Sequence, residues 1–595
     1  MCGICGLCAP SAPLENGDAR ISAMLSSIWH RGPDAQGSHV EEHVALGNQR
    51  LAIIDLAGGD QPIYNEDRSV CAVYNGEIYN YPELAAWLRG RGHELASQSD
   101  SEILVHLYEE RGIDFIADLN GMFAFALWDV RAAVLYLARD RFGVKPLHYH
   151  WDGRTLSFGS EVKALLRSGS VEAALDADAF VELLTFQNIL SERSLFAGVQ
   201  MLAAGSVLRL DERGPQESRY WDFLPQAESR SSEADLAGAI RERFDTAVER
   251  QLMSDVEIAS YLSGGLDTGA ITAAAGLRLD RLTTFCTGFD TSDAAGMEAD
   301  FDERADAAEL ARIIGTHHHE LLLRAPDMEL VLPRLVRHIE EPRMSFSYPN
   351  YLTAGVASRW VKVVLSGAGG DELFGGYPWR YEFAGEPDFA ERYFGYWTRL
   401  LSSAELAGGL SAGFAADADL ERPRRVFDEI IGRADGLPDL DRALYFESKT
   451  FLHGLLVIED KLSMAHSLES RVPFLDNDLV DLTLSIPANR KLDGARSKDL
   501  FRRAMAGRLP EQVISRRKTG FTPPQAAWFR GSQGDYVEQI LLSERACDRG
   551  LFRVDFVKRL LDEHRAGEVD RRLVLWTLTC MEWWHRIFLD GEHAT

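Results

Sequence analysis

Two short stretches share a chemical design. IASYLSGGLDTG (258–269) and VVLSGAGGDELFGGY (363–377) each run from an apolar segment into Ser-Gly and a glycine-rich turn, and each carries an aspartate. In SGGLDTG the turn lies between an apolar strand and a helix. Its backbone amides and the following helix N-terminus form an anion nest suited to pyrophosphate. Asp267 can then hold Mg2+ against that group, because Mg2+ takes one or two carboxylates plus phosphate oxygens. A single loop of this kind is equally compatible with a plain connection between strand and helix.

The chain begins MCGICG. Removal of Met1 would give Cys2 both a thiol and a free α-amine. That amine has a reference pKa of roughly 7.7–8.0, so near pH 7 part of it is neutral and can take the thiol proton. One residue then supplies nucleophile and base. Cys2, Cys5 and Cys8 also read as C-x2-C-x2-C, but no fourth ligand of matching spacing accompanies them, which argues against a metal cluster.

The elements that must position these residues follow from periodicity. HVALGNQRLAIIDL (43–56), SVCAVYNGEIYN (69–80) and GMFAFALWDVRAAVLYLARD (121–140) have the β-branched and aromatic content of strands. PELAAWLRGRG (82–92) and DSEILVHLYEERG (100–112) have helical spacing with glycine stops, so the first part is a layered mixture of strands and helices. A polar stretch at 224–235 reads as a linker. Beyond it, a helix over about 234–253 leads to strand EIASYL, helix TGAITAAAGLRL, strand RLTTFCTGF, a helix over about 302–315, strand HHHELLL, two helical stretches and strand VKVVLS. Strands alternating with helices predict a parallel, doubly wound sheet. From about 380 onward the periodicity is mostly helical.

Composition bounds the function. At 595 residues the chain exceeds one ordinary core, and about two to four domains are expected. Its 46% hydrophobic and 26% charged content describes a globular protein. The net charge of −28 argues against a broad nucleic-acid surface. Seven scattered cysteines form no disulfide framework, and without a signal peptide they point to a reducing cytoplasm. No apolar run is long enough to cross a membrane.

HRGPD (30–34), QRLAIID (49–55), YNGEIYN (74–80) and SDSE (99–102) resemble the glutaminase domain of class II amidotransferases over nearly all of residues 2–200. The resemblance implies that Cys2 is the nucleophile, that Arg50, Glu77 and Asp100 bind glutamine, and that Asn75 and Gly76 form the oxyanion hole. A guanidinium suits a carboxylate, a carboxylate suits an ammonium, and amide donors suit an oxyanion. SGGLDTG resembles the PP-loop of ATP pyrophosphatases, with Gly269 in place of a commonly seen second hydroxyl residue.

Together with FDE (301–303), LSGAGGDELFGGY (365–377), DKLSMAHSLESRVPFLD (460–476), RSKDLFRRA (496–504) and PEQVISRRKTGF (510–521), the whole chain resembles the glutamine-hydrolysing asparagine synthetase family. That resemblance implies an α/β protein. A glutaminase domain at 2–210, an Ntn-hydrolase αββα sandwich, precedes an AMP-forming PP-loop synthetase domain at 230–595 with a helical C-terminal part. ATP would contact Leu262, Ser263, Gly264, Gly265, Asp267, Thr268, Thr287, Ser366, Gly367 and Lys498. Asp267 and Asp371 would hold Mg2+, and Lys461 and Lys518 would act catalytically, Lys518 at the transition state. An acceptor carboxylate would attack the α-phosphorus, and ammonia passed internally from Cys2 would displace AMP. No organic cofactor is implied, and family members often dimerise.

The acceptor half departs from the family pattern. Position 368, usually acidic, is alanine, and the acceptor-binding segment reads EEPRMSFSYPNYL (340–352). Glu340, Glu341 and Glu372 are the candidate replacement acids around Ala368. The acceptor is then either aspartate or another carboxylate of a specialised pathway. A glutamine hydrolase with a degenerate, regulatory synthetase half is the competing reading. THHHE (316–320) is expected in a strand, where neighbouring residues face opposite ways and cannot converge on one ion. VPFLDNDLVDLTLSIP is expected as a core helix, and YPWRY (377–381) either stacks on substrate or packs the loop.

Overall fold

The computed structural model describes residues 2–593 apart from 227, 293–297, 299–300, 345–346, 493–495 and 517–521. The first part contains two antiparallel six-stranded sheets. One is formed by β1 (Cys2–Cys8), β2 (Ala35–Val40), β3 (Val44–Arg50), β8 (His148–Trp151), β9 (Leu156–Gly159) and β10 (Gln200–Met201), in the order β10-β8-β9-β1-β3-β2. The other comprises β4 (Ile63–Tyr64), β5 (Val70–Ile78), β6 (Gly121–Asp129), β7 (Val134–Arg139), β11 (Ser206–Asp211) and β12 (Gly214–Arg219), in the order β12-β11-β7-β6-β5-β4.

Alternation along each strand builds three layers of core. Ile4 and Cys8 of β1, Val44 and Leu46 of β3 and Cys71 and Val73 of β5 share one buried cluster between the sheets. The opposite-parity residues Cys5 and Leu7 pack under helix Gly17–Ser27, while Ala72 and Tyr74 pack under helices Tyr81–Arg89 and Ile103–Arg111. This is the αββα sandwich. Cys2, Arg50 and Asn75 have the parity of the inner faces and lie at one end of the sandwich.

The strand expected over 43–56 stops at Arg50. The Arg50 guanidinium donates to the carbonyls of Ile54, Asp55 and Leu56, which curls the next six residues into a loop. At the other end, β12 carries the second sheet to Arg219, past residue 210.

The second part holds a five-stranded parallel sheet of β13 (Ile258–Tyr261), β14 (Thr283–Phe289), β15 (His317–Leu323), β16 (Val363–Leu365) and β17 (Glu469–Arg471), ordered β15-β14-β13-β16-β17. The chain adds strands outward on one side of β13, then returns to pair β16 on its other side. That reversal is a topological switch point, where open α/β sheets bind ligands at the carboxyl ends of the strands. The two glycine loops follow β13 and β16, so they emerge side by side there. β17, three residues long, lies within the region that periodicity marks as helical. Among the described residues no helix is long and apolar enough to cross a membrane.

Candidate active sites

At the open end of the sandwich Cys2 pairs with Arg50 across the β1–β3 ladder. The Cys2 backbone N–H donates to Asn75 Oδ1 at 3.0 Å, and Gln61 Nε2 lies 3.6 Å from the Cys2 sulfur. Asn75 is fully buried and its Nδ2 has no hydrogen-bond partner, while its Oδ1 is fixed by the Cys2 backbone. Such an unspent, preoriented donor is what a developing oxyanion requires. Gly76 has no room for a side chain: a Cβ there would lie 2.2 Å from the Met122 carbonyl oxygen.

Arg50 Nη1 also holds Asp60 at 3.0 Å, and the Asp60 side chain is largely exposed, so an incoming carboxylate can replace it. Asp100 Oδ2 accepts from the Tyr74 hydroxyl at 2.8 Å and the Ile78 amide at 2.9 Å. Burial pushes the Asp100 carboxyl above its ordinary range, against the pull of those two donors. Glu77 is raised well above its ordinary value by burial and then by the charge of Glu469, and Arg471 lies 3.3 Å away. Glu77 therefore faces β17 of the second part.

The second site is a cavity of about 310 Å3 at the switch point. Leu262, Ser263, Gly265, Asp267, Thr268, Thr287, Ser366, Gly367, Ala368, Asp371 and Lys498 all line it. Helix Leu266–Gly276 begins at the first loop with Gly265 as its N-cap, so its free amides point into the cavity mouth. The Thr268 hydroxyl accepts from the Ser263 amide at 3.1 Å and fixes that loop. Lys498 Nζ lies 2.5 Å from Asp267 Oδ2 and 2.5 Å from Asp371 Oδ1, so one ammonium bridges the two loops. Gly376 makes the space for Asp371, whose carboxylate would lie 1.9 Å from a Cβ at that position.

Gly264 does not line the cavity. It adopts φ +73° and turns against Asp306 and Ala307, acting as the hinge of the first loop. Three candidate acids and one candidate lysine are also elsewhere. Glu340 is fully buried, accepts from the Val162 and Lys163 amides at 2.9 and 2.7 Å, and pairs with Lys461 Nζ at 2.8 Å. Glu341 accepts from the Leu195 amide and pairs with Arg343 at 2.7 Å. These are clamps between the two parts, with their oxygens already taken by interface partners. Glu372 points away from the cavity and accepts from the Tyr377 hydroxyl at 3.0 Å; burial and Asp371 raise its carboxyl to about 7. Lys518 lies outside the described residues.

Arg380 lies over the Tyr377 ring at 3.8 Å and the Phe451 ring at 4.0 Å, so YPWRY packs its own loop. THHHE enters β15, and the expected core helix spans Asn477–Leu484. Cys5 and Cys8 are buried thiols on opposite faces of β1, with burial pushing both up, which removes the metal reading of MCGICGLC.

Glu303, Asn350, Glu459, Arg502 and Arg516 also line the cavity. Glu459 is the informative omission. It sits on helix His453–Met464, accepts from the Ser470 hydroxyl, and is pushed up by burial while Ser366 and Ser470 pull it down. It thus presents a carboxyl on the same cavity wall as Ser366 and Ala368. In sequence it opens the charged triplet EDK inside the helical run LLVIEDKL, a polar interruption that could have marked it.

Residues 1–221 match the glutamine amidotransferase domain and residues 239–586 match asparagine synthase. The two sites thus define a glutamine amidotransferase joined to an amide-forming ligase. The chain belongs to the asparagine synthase family, whose members use ATP as a substrate. It is 30% identical to asparagine synthetase [glutamine-hydrolyzing] 1 of Bacillus subtilis, over 100% of this chain and 98% of that one. Asparagine synthetase [glutamine-hydrolyzing] 3 of the same organism is 32% identical, over 92% and 93%. Amidase chry2 of Gibberella zeae is 29% identical, over 91% and 92%.

Proposed function

We propose that the chain hydrolyses glutamine at Cys2 and uses the ammonia to amidate a carboxylate that it first activates with ATP. The observation that carries this reading is the bridge Asp267–Lys498–Asp371, which joins the two glycine loops at the switch point. A pair of carboxylates sharing one cation across a phosphate nest is a donor set that fits Mg2+. When bound there, Mg2+ would neutralise charge on the phosphates of ATP. Lys498, Arg502 and Arg516 supply further positive charge around the same cavity.

At the first site the Cys2 sulfur attacks the side-chain carbonyl carbon of glutamine. The thiol proton passes to the Cys2 α-amine, and Asn75 Nδ2 and the Gly76 amide hold the resulting oxyanion. The α-amine returns that proton to the leaving nitrogen so that ammonia departs, and water cleaves the thioester to glutamate and free thiol. At the second site an acceptor carboxylate oxygen attacks the α-phosphorus and pyrophosphate departs. Ammonia then attacks the acyl carbon, one N–H proton is taken up by a base, and AMP leaves.

We assign that base to Glu459. Ala368 has no ionisable group, and Glu340, Glu341 and Glu372 do not line the cavity; Glu303 and Glu459 do, and Glu459 is hydrogen-bonded to Ser366 of the second loop, two residues from Ala368. The methyl at 368 leaves space on this wall where the family pattern has an acid, which favours an acceptor other than free aspartate. Pyrophosphate release with ammonium and a panel of carboxylates, aspartate included, tests the reading, and mass spectrometry of the product names the acceptor. A panel that elicits no pyrophosphate refutes it and favours a glutamine hydrolase. We place the boundary between the two domains in the polar stretch after β12 and before helix Glu233–Gln251.

A further inference from the structure

A cluster that includes none of the residues assigned to either reaction draws together three separate segments of the sandwich. Glu66 comes from the turn between β4 and β5, His93 from the loop after helix Tyr81–Arg89, and His106 and Glu109 from successive turns of helix Ile103–Arg111. One ligand atom from each of the four lies within 4.8 Å of every other. His93 Nδ1 is 3.4 Å from Glu66 Oε1, and His106 Nδ1 is 3.3 Å from Glu66 Oε2. Glu109 Oε2 is 3.6 Å from His106 Nδ1 and 3.9 Å from His93 Nδ1.

Zinc bonds of about 2.0–2.2 Å in a tetrahedron separate neighbouring ligand atoms by about 3.3–3.6 Å. Three of the four separations above, 3.3, 3.4 and 3.6 Å, match that edge length, and the whole set of ligand atoms lies within 4.8 Å. His106 has 1% side-chain exposure, and its Nδ1 faces the centre of the cluster without making a hydrogen bond. The outer nitrogens complete the pattern. His93 Nε2 is 3.3 Å from Glu110, and His106 Nε2 is 3.7 Å from Glu102. Metal-bound histidines characteristically direct the second ring nitrogen to a carboxylate, which fixes ring orientation. Asn65 Nδ2 donates to Glu109 Oε1 at 2.8 Å and orients the fourth ligand.

We infer that Glu66, His93, His106 and Glu109 form a tetrahedral zinc site that braces the glutamine pocket. Two imidazoles and two carboxylates are a donor set suited to Zn2+ and short of the all-oxygen shells that Ca2+ and Mg2+ prefer. The ion ties the β4–β5 turn and the 90–99 loop to the helix that follows directly from Asp100. Its role is structural: four protein ligands fill a tetrahedral shell and leave no open position for a substrate.

The test uses the full chain, stripped with chelator and titrated with Zn2+ by calorimetry and with Co2+ by visible absorption. The expected result is one site per chain with the ligand-field bands of a tetrahedral nitrogen–oxygen set and no thiolate charge-transfer band. Saturating Zn2+ should raise the melting temperature. His93→Ala, whose side chain lies near the surface, and Glu109→Gln should each weaken Zn2+ by about a hundredfold and abolish the thermal gain. His106→Ala is less suited because that ring is buried. Absence of Zn2+ binding, binding retained in both variants, or a thiolate band identifying cysteine as ligand would each overturn the assignment.

Discussion

Arg31 and Asp460 are bonded at 2.8 Å in the interior of the protein, and Arg31 links the start of β1 to helix His453–Met464. Arg31 Nε donates to the carbonyl oxygen of Cys2 at 3.2 Å, and its Nη1 holds Glu161 at 3.0 Å. Asp460 also holds Lys145 at 3.2 Å and is the chain neighbour of Glu459 on the nucleotide cavity. A fully buried guanidinium thus runs from the backbone of Cys2, the proposed nucleophile, to the helix that carries Glu459, the proposed base.

This connection predicts that Asp460→Asn uncouples the two reactions. Arg31 and Lys145 would lose a buried counter-charge, which costs about 3–5 kcal/mol when one partner is removed. Urea unfolding should report that loss. In a single assay of both products, glutamate formed per pyrophosphate should rise severalfold in the variant.

Gly76→Ala should remove glutaminase activity by about a hundredfold or more, because the added Cβ forces β5 away from β6 and displaces the oxyanion donors. Ammonia-dependent synthesis should persist in the same preparation. Loss of both would mean that the strand shift reaches the second site.

Glu372 predicts a pH dependence of stability. Its carboxyl is raised to about 7 in the fold from an ordinary 4.5, by burial and by Asp371. The folded chain then keeps a proton that the unfolded chain releases. The contribution is fully present below about pH 4.5 and is lost as pH rises through about 7. Each pH unit of displacement is worth about 1.4 kcal/mol. Glu372→Gln should therefore flatten the fall in unfolding free energy between pH 5 and pH 8, measured by urea titration at both values.

Glu459→Gln should retain carboxylate-dependent pyrophosphate exchange but lose amide formation by about a hundredfold, the range of general-base contributions. Burial raises this carboxyl, so wild-type amide formation should show an acid limb above the ordinary carboxylate range. That limb should vanish in the variant, an effect that a purely structural role for Glu459 would not produce.

Much of this was legible in the sequence because the chemistry lies where the chain pattern changes. SGGLDTG and SGAGGDE each stand at the end of an apolar run, so their place at strand ends followed from local pattern alone. Their adjacency did not: it comes from the reversal of strand order at β13, a long-range pairing that no local signal encodes. Glu340 and Glu341 were misplaced for a related reason. A carboxylate clamped between two domains and one facing a substrate cavity look alike in a sequence, and it is the Val162, Lys163 and Leu195 amides of the first domain that distinguish them. β17 escaped notice because three residues are too few to establish a period of two.

The central claim is a division of labour between Cys2 and the nucleotide cavity. The direct test compares wild type with Cys2→Ala, each supplied with ATP, Mg2+ and the acceptor from the carboxylate panel, with either glutamine or ammonium as nitrogen source. Cys2→Ala should form no amide from glutamine and should form it from ammonium at a rate near wild type. Loss of both activities in the variant, or amide from glutamine without Cys2, would contradict it.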